Sequence, residues 1–130
     1  MGAPAFVTLS EEELWLIAAV GVMVVFDVVT GLVQAWVNRD YQSSKMREGL
    51  GHKIVLVLIV ALAVVIQGFT QHIGDIGWSI PIVWAVCLYI LVMEVSSVVE
   101  NLAAAYPELR ETKLLSYFAN TSAKEDENER

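Results

Sequence analysis

The sequence predicts an all-α integral membrane protein with three transmembrane helices. Its N-terminus is expected outside and its C-terminus inside, followed by a short C-terminal amphipathic helix and a disordered tail. Three observations lead there. First, 56% of the 130 residues are hydrophobic and only 18% are charged, where a soluble domain carries about a quarter charged residues. Second, the missing charge is concentrated. Asp27 is the only formally charged residue in 14–37, none lies in 54–73, and Glu94 stands alone in 76–99. Runs of that kind match the roughly 20 residues needed to cross a bilayer. Third, all eight Lys and Arg fall either within 38–53 or after Tyr106.

The same arithmetic excludes several classes. The chain is too apolar for a disordered protein, and one cysteine cannot staple a secreted domain. The spans leave no room for a separate catalytic domain, so no enzyme activity is expected. A net charge of −7 argues against nucleic acid, whose phosphates are bound mainly through Lys and Arg. The expected organisation is one membrane domain over 1–118, with spans near 14–37, 52–72 and 78–100, and a polar disordered tail over 119–130.

Ser10 opens the first element. It can cap a helix, and Glu13 stands three residues on, as a capping box requires. No Lys or Arg precedes the apolar run, so it reads as a span and not as a signal peptide. Trp15 and Trp36 lie near its ends, where aromatic rings favour the headgroup zone. A basic loop, 38–53, follows, and Arg39, Lys45, Arg47 and Lys53 are expected to contact lipid headgroups there. The second span centres on thirteen apolar residues, 54–66, and must borrow residues at either end to cross. Gly74, Asp75 and Gly77 suit a tight reversal.

The third span starts near Pro81, flanked by Trp78 and Trp84. Pro107 ends it or opens a short helix, 107–118. With three spans both basic segments share one side, which the positive-inside rule makes cytoplasmic.

Asp27 is the most expensive residue in the chain. A carboxylate mid-span costs roughly 2.5–3.5 kcal/mol on insertion scales, and with Lys53 read as a loop residue no basic partner is available in the membrane. Asp27, Thr30, Gly31 and Gln34, with Asn38, share one helix face. Glu94, Ser97 and Asn101 form a matching face on the third span, with Glu100 beside them. Three readings stay open for this polar stripe: static packing and oligomerisation, a lining that meets water at some stage, or selective ion transport. The second span reads as nearly all apolar and lipid-facing. Cys87 reads as an inert thiol facing lipid or helix. His52 and His72 are lone loop histidines, and neither metal nor cofactor is expected.

These residues resemble a known family. Asp27–Gly31 is similar to the D-x-x-T-G signature of the toxin-secretion and phage-lysis holins. Ser43, Ser44, Gly49 and Lys53 resemble that family's loop before the second span. Glu94, Ser97, Glu100 and Asn101, followed by Pro107, resemble its E-x-x-S-x-x-E-N stretch. The acidic 124–130 tail departs from the strongly basic end of many holins, so tail-based regulation is not carried over.

The resemblance implies a homo-oligomer in the bacterial cytoplasmic membrane that forms lesions, letting an endolysin or toxin out and triggering lysis. The alternative from the residues alone is a scaffold subunit that makes no pore, or a small ion channel.

Overall fold

The computed structural model describes residues 5–73 and 81–111. The expected reversal at 74–77, Trp78, the tail, and any helix beyond Glu111 lie outside the described residues. Three long helices are present: α1 Glu11–Asn38, α2 Ser43–His72 and α3 Ile82–Ala105. Each is long and apolar enough to span a membrane. A 3-10 turn, Pro107–Glu111, follows α3. There the Tyr106 hydroxyl donates to Glu108 at 2.5 Å, a bond that holds its pKa above the usual value for tyrosine.

α1 begins with the expected capping box. The Ser10 hydroxyl accepts from the Glu13 amide, and the Glu13 carboxylate accepts from the Ser10 amide. At its far end Arg39 adopts a left-handed conformation (φ 53°), and its amide bonds back to Ala35 and Trp36. Trp15 and Trp36 are 70% and 69% exposed, and 21 residues of helix, about 32 Å, separate them. That distance fits a hydrocarbon core of about 30 Å.

The expected basic loop is mostly helix. α2 already starts at Ser43, so only Arg39–Gln42 connect α1 to α2. Ser43–His72 spans far more than the thirteen apolar residues, having borrowed at both ends.

α1 and α3 run parallel and pack closely, while α2 runs antiparallel and meets α3 over a shorter stretch. α3 is the central helix. Val83, Cys87, Ile90, Glu94 and Val98 are buried along it at spacings of three and four, the seam of helix-on-helix packing. Val20 of α1 and Leu56 and Ala63 of α2 complete the core. Cys87 therefore faces helices, fully buried. The outer faces carry Val22, Val25, Phe26, Leu58, Leu62, Tyr89 and Val92, all exposed. So continuous an apolar surface suits lipid, since soluble monomers rarely expose patches beyond a few hundred Å².

A buried charge node as the candidate functional site

Three helices deliver three charges to one level. Asp27 lies 11 residues before the end of α1, Lys53 ten after the start of α2, and Glu94 11 before the end of α3. At 1.5 Å per residue each is about 16 Å from the same end of the bundle. The Lys53 ammonium lies 2.5 Å from Asp27 Oδ2 and 2.6 Å from Glu94 Oε2, and donates to Glu94 Oε1 at 2.7 Å. Its three protons thus have three acceptors. Asn101 Nδ2 donates to Asp27 Oδ1 at 2.9 Å and to Thr30 Oγ1 at 3.2 Å. The Thr30 hydroxyl donates back to the carbonyls of Phe26 and Asp27.

This corrects two expectations. Lys53 is not among the headgroup-facing residues of a loop; it is a residue of α2, with its side chain 11% exposed. Asp27 and Glu94 are not without a basic partner in the membrane, because they share this one. The reason is the early start of α2, which carries Lys53 ten residues into the helix. α2 is therefore not a plain lipid-facing span.

The two acids are held differently. Asp27 keeps a second donor in Asn101. Among the described residues Glu94 has Lys53 alone, and it is the most deeply buried charge, 2% exposed. Beside the node a cavity of about 550 Å³ is lined by Asp27 and Gln34 of α1, Lys45, Arg47 and Lys53 of α2, and Ser97 and Asn101 of α3. Gln34 and Ser97 are half-buried on its wall.

The remaining candidates scatter. A Cβ on Gly31 would meet Asn101 at 3.6 Å, ordinary contact. Glu100 is exposed, outside the node. Arg39 sits at the α1 cap, and Lys45 pairs with Asp40 at 3.4 Å in the open.

A second network at the opposite end escaped the sequence reading. Gln67 Nε2 donates to Glu13 Oε1 at 2.8 Å, while Gln67 Oε1 accepts the Val83 amide of α3 at 3.0 Å. Glu13 and Gln67 are 6% and 5% exposed. One amide thus ties all three helices. The signal was available: Gln67 is the first polar residue after thirteen apolar ones, 14 positions from Lys53, hence on the same face of α2.

The N-terminal segment closes over this end. Thr8 exchanges two hydrogen bonds with the Gln71 amide. Phe6 stacks on His72 and meets Phe69 edge-on, and its carbonyl lies 2.8 Å from His72 Nε2. Its ring fills the place where Gly68 lacks a side chain, since a Cβ there would meet it at 2.4 Å.

No buried side-chain donor or acceptor in the described residues is left unpaired. The arrangement holds charge in apolar surroundings. No curated protein and no solved structure matches the chain. A family model does, that of the bacteriophage holin family, over residues 6–109. The matched region runs from the Phe6 contact through both polar networks and all three helices, and the chain belongs to the bacteriophage holin family.

Proposed function

We propose that the protein gathers into homo-oligomers and opens lesions through which an endolysin or toxin leaves, so that the cell lyses. Family and spans together make it a multi-pass protein of the bacterial cytoplasmic membrane. In this reading the Ser10 end faces outward and the Arg39–Gln42 end faces the cytoplasm, as the basic residues demand.

The observation that carries the proposal is the contrast between faces. Among the described residues the mid-span charges Asp27, Lys53 and Glu94 are turned inward and paired within one chain, while the outward faces at that depth are apolar. Such a molecule can accumulate without perturbing the bilayer. Its interior becomes a water-compatible lining only if the helices part. α2 is the helix suited to move: it approaches α1 closely at hardly any residue and is joined to it mainly through Lys53 and Gln67. The polar stripe of α1 and α3 would then exchange the ammonium and amide of α2 for water. Arg39, Lys45 and Arg47 remain the headgroup contacts at the cytoplasmic face.

Controlled expression in a bacterial host, with and without a cytoplasmic peptidoglycan hydrolase, tests this. Growth and membrane potential should fail abruptly, and turbidity should fall only when the hydrolase is present. A scaffold subunit would leave both potential and growth intact. A small ion channel would collapse the potential yet never release the hydrolase.

A further inference from the structure

The pore reading leaves open what passes first, and this inference rests on it. We propose that the lesion, while narrow, conducts cations in preference to anions. Within the spans the buried charged side chains of the described residues are Glu13, Asp27 and Glu94 against Lys53. Three acids against one base leave two negative charges per copy once water separates them. The outward faces cannot supply an alternative lining, because at membrane depth their exposed side chains are apolar. Any aqueous opening built from these helices must therefore be walled by the face that holds those four residues.

The mouths do not reverse the sign. At the Ser10 end Glu11 and Glu12 add negative charge, with no base among residues 5–13. At the other end, outside the node, the described acids Asp40, Glu48, Glu100, Glu108 and Glu111 outnumber the bases by one. Repeated around a ring, the acids of each copy raise the local concentration of cations and exclude anions. The effect reaches about one Debye length into the lumen, roughly 8 Å at 0.15 M salt and 30 Å at 0.01 M. Selectivity should thus fade as the lesion widens past that radius, so it also reports width.

The test uses the full chain in planar bilayers of phosphatidylcholine, whose neutral headgroups add no fixed charge, under a KCl gradient. In about 10 mM salt, K⁺ permeability should exceed that of Cl⁻ several-fold, approaching equality near 1 M. Preference should fall in the order Lys53→Gln, wild type, Asp27→Asn, Asp27→Asn/Glu94→Gln, which steps the buried charge from three negatives to none. If Lys53→Gln does not accumulate, the two acid-to-amide variants still carry the ordering. A conducting wild type with equal permeabilities at low salt, or variants out of this order, overturns the inference and leaves the pore reading standing. Absence of any conductance overturns both.

Discussion

Replacing Lys53 with Met removes the only hydrogen-bond donor that Glu94 has among the described residues, and one of two that Asp27 has. Breaking a buried ion pair from one side costs about 3–5 kcal/mol, because the partner charge is left uncompensated. The loss is unequal here. Asp27 is 8% exposed, borders the cavity and keeps Asn101; Glu94 is 2% exposed and keeps nothing. Most of the penalty therefore belongs to Glu94. A loss of about 4 kcal/mol shifts the balance between closed and open forms nearly a thousandfold, so membrane potential should collapse much earlier after induction. Rescue separates this from general damage. Lys53→Met/Glu94→Leu removes the stranded charge and should restore most of the delay, since apolar replacement of a buried pair is often neutral. Lys53→Met/Asp27→Asn should restore little. The assay is the time from induction to loss of a potential-sensitive dye signal, at matched protein levels. Wild-type timing for Lys53→Met, or equal rescue by the two doubles, refutes the reasoning.

Other expectations follow from the same contacts. Gln67→Leu strands the Val83 amide and takes one donor from Glu13; an unsatisfied buried group costs about 1–3 kcal/mol, so denaturation in detergent should come at lower temperature. Gly68→Ala should destabilise by driving out the Phe6 ring, whereas in a Phe6→Ala background the same substitution should cost almost nothing, a cycle readable by protease clipping of the N-terminal segment. Ser10→Ala loses the cap of α1 and should cost about 1 kcal/mol by the same melting assay, less than Gln67→Leu. Cys87 is fully buried, so a water-soluble maleimide should label it slowly before triggering and quickly afterwards; unchanged labelling would remove the inner face of α3 from the lesion wall.

α1 and α3 were legible because hydropathy alone marks a span when apolar residues run unbroken. The start of α2 was not. Residues 43–52 are polar enough to read as loop, and helix there is held by continuity with the apolar stretch and not by its own composition. That mistake hid the node, because it placed Lys53 in the headgroups. The cue was depth: counted from the turn they share, Asp27 and Lys53 stand within one residue of each other. Of the residues their spacing singles out, Asp27, Thr30 and Asn101 meet directly, and Glu94 joins them through Lys53. Their partner came from a third helix, which periodicity within one helix cannot reveal. Gln67 is marked by its place on the Lys53 face of α2, but its partners on α1 and α3 are not, and the Phe6 contact leaves no periodic trace because it belongs to a docked segment.

The four-residue connection Arg39–Gln42 also bears on how the chain is made. α1 emerges from synthesis carrying Asp27 with no counter-charge, and Lys53 follows 26 residues later. At 5–20 residues per second that interval is on the order of one to five seconds. A lone α1 in lipid would hold an unpaired acid throughout, whereas a tight α1–α2 hairpin enters with one positive and one negative charge at the same depth. The short connection favours that hairpin as the unit of insertion, leaving the slot for Glu94 of α3 to be filled last.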